Sequence, residues 1–202
     1  MLKALTSTLT LTVLCGSLAL AQQQTPPPAA QPDQAPAQPQ AAAPPPPQPA
    51  PCTAPEFKQF DFWVGEWDLE GKSPVPNKPN EFTTGRHKNT IVKTLDGCVI
   101  QENFDDLAGF RGMSVSMYDT ISGKWKQTWV DNAGSYLDLV GEFKDGKMVL
   151  LRKAVNARGI PVVQRMTFSN IKPDSFDWDW EASRDDGKTW VSNWKIHYTR
   201  KK

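Results

Sequence analysis

Histidine and cysteine are scarce in this chain, two of the first and three of the second among 202 residues. Metal centres are assembled from these side chains at short, characteristic spacings. Neither His87 nor His197 stands at such a spacing from a cysteine, so no metal site and no cofactor is assigned. A surplus of one charge is also lacking: 23 Lys and Arg face 22 Asp and Glu. With no basic excess there is nothing to hold a nucleic acid or an anionic membrane surface. Phosphate-cradling glycine loops, a dinucleotide fingerprint and a nucleophile beside a histidine are missing as well. No long segment carries the 3.6-residue apolar period of a helix. Nucleotide-dependent enzymes, catalytic triads and helical bundles are thereby set aside.

Long apolar runs are limited to one, Ala4 to Leu20, which follows Lys3 and closes with Ala19-Leu20-Ala21. A basic start, an apolar run and a small-x-small end make residues 1–21 a cleaved secretory signal peptide. Leu14, rather than a small residue, precedes Cys15, which argues against a lipid anchor. The run is also slightly short of the roughly 20 apolar residues that span a bilayer. Residues 22–55 hold 13 of the 18 prolines and no large apolar side chain. Such a stretch cannot build a core, and a disordered Pro/Gln/Ala-rich tether is expected there. The reading is export to the periplasm, cell surface or medium, with no membrane span after cleavage. Two cysteines outlast the signal, Cys52 and Cys98. An exported protein usually oxidises a lone pair, so a disulfide between them is expected, with two unpaired thiols as the alternative.

What is abundant is aromatic. All eight Trp, nine Phe and three Tyr lie between Phe57 and Tyr198, within a stretch, residues 56–202, long enough for one domain. After a lead with Phe57 and Phe60 that suits one helical turn, segments of about ten residues alternate with turn chemistry. Asp145-Gly146 and Asp185-Asp186-Gly187 are the strongest hairpin signals. Ten strands are expected, over 62–70, 84–94, 97–105, 111–119, 123–131, 135–144, 147–155, 161–169, 175–183 and 188–200. The tryptophans fit: Trp63 and Trp67, Trp125 and Trp129, and Trp190 and Trp194 are spaced by four, Trp178 and Trp180 by two. Even spacing places each pair on one face of a strand. Ten antiparallel strands, apolar on one side, close naturally into an all-β meander barrel without edges. A two-sheet sandwich is the competing architecture.

Several segments resemble a known group. Phe60-Asp61-Phe62-Trp63-Val64-Gly65-Glu66-Trp67, Gly97-Cys98-Val99-Ile100, Gly123-Lys124-Trp125-Lys126-Gln127-Thr128-Trp129-Val130-Asp131 and Asp186-Gly187-Lys188-Thr189-Trp190 resemble an uncharacterised family of bacterial exported proteins, a domain of unknown function. More distantly, Gly65-x-Trp67 and the late Arg200 are similar to the calycins, which include lipocalins, fatty-acid-binding proteins and nitrobindins. That resemblance implies a barrel whose base is closed by Trp67 packed beneath Arg200. Nitrobindins bind haem through a histidine shortly before the terminal basic residue; here Asn193 stands seven before Arg200, and His197 falls on the polar face. Ser183-x-Asp185-x-Gly187-x-Thr189-Trp190 also resembles the Asp-box of sialidases, which implies a hairpin stabiliser.

Polar residues on inward faces are the candidate site, because a buried polar group is satisfied or functional. Parity sets Glu102 with Cys98, Ile100 and Phe104, Gln127 and Asp131 with Trp125 and Trp129, Arg152 with Met148 and Leu150, and Gln164 with Met166. The reading is a barrel that binds a small apolar or aromatic ligand inside, stacked on Trp125, Trp129 and Trp180 and oriented by Glu102, Gln127 and Arg152. In the plain structural alternative Glu102 and Arg152 form an internal ion pair and the tryptophans fill a solid core, leaving an envelope interaction module. On 111–119 two facings stay open. With Gly112, Ser114, Ser116 and Tyr118 inward, space is left inside and Met113, Val115 and Met117 lie outside as a contact for a homodimer or envelope partner. A third option is a cofactor-free isomerase or cyclase. No catalytic residue is assigned.

Overall fold

Alternating side chains commit about two thirds of the described residues to strands. The structure, a computed structural model, describes residues 52–78, 81–156 and 158–202. The expected signal peptide and the expected tether as far as residue 51 lie outside the described residues. The strands are β1 (Gly65–Pro74), β2 (Phe82–Thr94), β3 (Val99–Asp105), β4 (Arg111–Asp119), β5 (Lys124–Asp131), β6 (Tyr136–Lys144), β7 (Lys147–Val155), β8 (Pro161–Lys172), β9 (Ser175–Ser183) and β10 (Val191–Arg200). Each pairs antiparallel with the next, and β10 returns to β1 to close the barrel. The meander barrel is therefore the architecture, and the sandwich is excluded.

Turn chemistry fixes the registers. Asp145 and Gly146 both have positive φ, 51° and 72°, the left-handed pair that a two-residue hairpin needs. Lys144 consequently faces Lys147, and Phe143 faces Met148. At the β9 to β10 turn, the Ser183 Oγ accepts the Gly187 N–H at 2.8 Å and Asp185 Oδ1 accepts the Thr189 N–H at 2.9 Å. These bonds satisfy loop donors that strand pairing does not reach.

The first strand begins later than the sequence suggests. Asp61–Trp63 is a 3-10 turn, as is Pro55–Lys58, and the chain enters β1 through Gly65 at φ 136°, a conformation L side chains rarely adopt. Trp63 thus belongs to the lead rather than to the strand carrying Trp67. The lead plugs one end of the barrel. Phe60 sits edge-on to Trp125 and Phe168, with centroids 4.8 and 5.3 Å away, and Phe60 and Trp63 are fully buried. Truncation of such a buried ring typically costs about 3–5 kcal/mol, so this plug is a major share of the domain's stability.

The same end is locked from outside. Arg200 stands opposite Trp67 in the β1 to β10 ladder and stacks over its ring at 4.1 Å. Its guanidinium donates to the carbonyls of Val64 (2.8 Å), Phe62 (3.0 Å) and Pro173 (2.8 Å). Lead, first strand and the β8–β9 turn are joined through one side chain. A disulfide links Cys52 to Cys98, fastening the chain before the lead to the start of β3.

Two facings depart from simple alternation or resolve it. A bulge between Ser192 and Trp194 shifts the β10 register, so Trp190 does not share the inward face of Trp194. It packs against Arg165 instead, the guanidinium 3.9 Å from the ring centroid, while Arg165 binds Glu181 on the outer surface. On β4, Ser114 and Ser116 are buried, whereas Met113, Val115 and Met117 are 41%, 42% and 46% exposed. The small side chains face inward, and the interior gains room.

Candidate functional site

The barrel interior divides into three layers. The plug fills one end. Across the middle runs a polar belt contributed by four strands. From β2, Asn89 Nδ2 donates to Glu102 Oε1 at 2.6 Å and to the Tyr198 hydroxyl at 3.1 Å. From β4, Ser114 Oγ donates to Glu102 Oε2 at 2.6 Å. From β5, Gln127 Nε2 donates to Ser114 Oγ at 3.2 Å and Ser116 Oγ at 2.9 Å. The belt follows from register, since Glu102 lies opposite Ser114 and Ser116 opposite Gln127. Small serines between two longer polar chains let all of them meet inside.

Above the belt, away from the plug, lies a cavity of about 140 Å³. Its floor carries Glu102 and Tyr198, and its walls are Phe104, Phe110, Trp129, Leu137, Met166, Trp178, Trp180, Trp194 and Ile196. Trp178 and Trp180 stack nearly parallel at 6.4 Å, and Trp194 meets Trp178 edge-on at 5.6 Å. Trp129 is held by its indole N–H, which donates to Asp131 Oδ2 at 2.9 Å. Gly112 makes room for it: a methyl there would fall 2.0 Å from the indole.

Electrostatically the floor is unusual. Burial pushes the Glu102 carboxyl up to about 6, against the pull of hydrogen bonds from Ser114 and Asn89. Burial likewise holds the Tyr198 hydroxyl well above the usual phenol value, reinforced by the Glu102 charge. The arrangement offers one carboxyl able to change charge near neutrality, a neutral phenol, and aromatic faces.

Of the six residues singled out from sequence, Glu102, Trp129 and Trp180 line this cavity. Trp125 and Gln127 do not. Trp125 lies four residues down β5 from Trp129, about 13 Å at strand rise, and donates to Gln59 Oε1 beneath the plug. Gln127 is consumed by the belt. Arg152 faces inward but does not meet Glu102; its Nη1 donates to Gln164 at 3.0 Å and its Nε lies 3.7 Å from Asp138. The Glu102–Arg152 ion pair is therefore not formed. The wall residues that sequence reasoning missed, chiefly Phe104, Phe110, Trp178 and Trp194, mostly carried the inward parity that identifies a core. Parity gives the face of a strand and not the height along the barrel, and height separates plug, belt and cavity.

Haem, suggested by the nitrobindin resemblance, does not fit these residues. Asn193 is exposed at the β10 bulge, and Trp194 takes the inward place. His197 faces out and pairs with Asp177 at 2.7 Å. His87 does face inward, but its ring is packed on Phe104 and Trp194, and about 140 Å³ lies below the roughly 300 Å³ at which pockets for drug-sized ligands begin. Among the described residues no group of three or more His, Cys, Asp or Glu could hold a metal ion.

No protein-family model and no curated protein matches the chain. Solved structures do. The Rv2717c protein of M. tuberculosis is similar at a TM-score of 0.51 with 10% identity, over 74% of this chain and 99% of that one. A redesigned beta barrel (TM-score 0.33, 8% identity, 72% and 96% of the two chains) and a protein of unknown function from the DUF3598 family of Nostoc punctiforme (0.23, 7%, 74% and 100%) also align, but at scores too low to support an argument. The likeness to the first is one of fold alone, that of the closed antiparallel barrel described above.

Proposed function

We propose that this protein is an exported binding barrel that takes a small apolar or aromatic ligand into the cavity above Glu102. The observation carrying the reading is an internal space of about 140 Å³, walled by aromatic side chains over a two-residue polar floor. An apolar cavity of about 150 Å³ accepts a molecule the size of benzene, so the occupant is a single ring or a branched group of that bulk. Export rests on the leader-like first 21 residues and is supported by the Cys52–Cys98 bond, which suits an oxidising compartment. Binding is favoured over catalysis because, among the described residues, the one titratable neighbour bonded into the Glu102 network is Tyr198, which stays neutral. Glu102 then has no partner for paired acid and base chemistry.

Native mass spectrometry of the protein purified from its own cells, followed by denaturation to release anything held, tests this reading. A reproducible small adduct that disappears in Trp129→Ala and Trp180→Ala is the expected result. Adduct-free spectra together with no uptake of toluene or indole would remove it. The outward row Met113, Val115 and Met117 favours a second reading, an interaction module. A concentration-dependent dimer abolished by Met117→Lys, with the cavity indifferent to every probe, would put that reading first.

A further inference from the structure

We infer that the occupant of the cavity is a methylated ammonium group, its methyl surface against the indole walls and its charge above Glu102. The inference rests on the interior-binding reading and adds the ligand's chemical class.

Charge accounting leads to it. Glu102 is almost completely buried and lines the cavity floor. Buried charges in proteins are ordinarily paired, yet no cationic side chain among the described residues lies within ion-pair distance of it. Each element packed around it can be checked. β2 presents Asn89 and, further up, His87; β4 presents Ser114; β5 presents Gln127; β10 presents Tyr198. Arg152 is engaged with Gln164 and Asp138. Burial keeps His87 below the ordinary histidine value, so it is neutral in mildly alkaline solution. The carboxylate is hydrogen-bonded but has no countercharge, and the open side of its site is the cavity.

The walls supply the second half. Indole faces carry negative quadrupole potential and attract cations, and cages of such rings are a known solution for quaternary ammonium groups. Trp178 stands 6.4 Å from Trp180 and 5.6 Å from Trp194 by centroid, and Trp129 lines the same cavity from β5. A methylated head is preferred to a primary ammonium because acceptors fall short. Each Glu102 oxygen already accepts one hydrogen bond, from Asn89 and from Ser114, which leaves about one lone pair apiece, and the walls are apolar or aromatic. A primary ammonium would bring three N–H donors from water to about two open sites, whereas methyl groups leave no donor unmet. The volume agrees, since a trimethylammonium head has about the bulk of the benzene ring that a 150 Å³ cavity accepts.

The test is calorimetric titration of the purified protein with tetramethylammonium, choline and the neutral isostere of choline, 3,3-dimethylbutan-1-ol, at pH 8 and pH 5, with Glu102→Gln run beside it. At pH 8 choline should bind about tenfold or more tightly than its isostere. The preference should shrink at pH 5, as Glu102 takes up a proton, and should be absent in Glu102→Gln at pH 8, where His87 is neutral. The wild-type comparison stands even if the variant does not fold. Equal binding of choline and its isostere at pH 8, or retention of toluene with no ammonium uptake, would overturn the cation assignment while leaving interior binding intact. Failure of every probe would overturn both.

Discussion

Glu102 should destabilise the barrel at neutral pH, and replacing it with its amide should reveal by how much. Burial raises its carboxyl from 4.5 to about 6 in the folded protein. Because the folded pKa lies above the unfolded one, the unfolded chain releases this proton first as pH rises. Between pH 4.5 and about 6 the folded state therefore holds more protons, and stability falls across that window. A shift of about 1.5 units at 1.36 kcal/mol each amounts to about 2 kcal/mol by pH 7. Glu102→Gln resembles the protonated form: its carbonyl can accept from Asn89 and its amide can donate to Ser114 Oγ, the two groups now bonded to the carboxylate. Urea unfolding of both proteins at pH 4.5, 6 and 8 isolates the effect, since every other titrating group cancels in the difference. The variant should gain about 2 kcal/mol on wild type between pH 4.5 and 8, with most of the gain below pH 6.5. A difference that stays constant with pH would mean that Glu102 is solvated or paired in the folded state, and the uncompensated floor charge would then be refuted.

Other substitutions probe the frame. Cys98→Ser opens a loop of sequence separation 46 and should cost about 4 kcal/mol on the chain-entropy relation. Wild type unfolded in reductant should match the variant, and coincident oxidised and reduced midpoints would show that the staple does not act. Arg200→Met removes three donors to the carbonyls of Phe62, Val64 and Pro173, for a loss of about 3 kcal/mol in guanidinium unfolding. Arg200→Lys should recover less than half, because an ammonium cannot reproduce the fork; full recovery would reduce the lock to a simple charge. Gly112→Ala places a methyl 2.0 Å from the Trp129 indole and should cost about 1–3 kcal/mol by overpacking, while weakening every interior probe. Unchanged stability and binding together would show that Trp129 does not wall the cavity.

Period and turn chemistry made much of the barrel legible. Phe176, Trp178 and Trp180 alternate with Asp177, Asp179 and Glu181, and their facing follows from that alone. Asp145-Gly146 pinned the β6 to β7 register because few other residues tolerate two left-handed positions in succession. Where the chain left the regular lattice, parity failed. Trp63 precedes the glycine that starts β1, and Trp190 lies on the far side of the β10 bulge, so spacing by four misplaced both. The site was legible by face but not by depth. Gln127 and Trp129 share a face, yet one belongs to the belt and the other to the cavity, because rank along the barrel axis depends on the stagger of all ten strands. Parity sets Arg152 with Met148 and Leu150 and leaves its partner open; neighbouring strands draw it to Gln164 and Asp138 rather than to Glu102.

The cavity's position has a structural cause. Strand number and stagger set the barrel's overall width, and its two ends differ in what fills them. At the plugged end the lead adds Phe60 and Trp63 to the side chains of the strands, and Arg200 clamps the lead's carbonyls in place. At the other end no second lead enters among the described residues, and β4 contributes only Gly112 and Ser114 to the inward face. The large side chains there come from β3, β5, β6, β8, β9 and β10, with Phe110 just before β4, and they line the walls around the remaining space. On the proposed reading stability and recognition are thus assigned to opposite ends of one cylinder, with the Asn89, Glu102, Ser114 and Gln127 belt between them. Changes to the cavity walls should accordingly alter the proposed binding at modest cost in stability, whereas changes to Phe60 or Trp63, which do not line the cavity, should unfold the domain first.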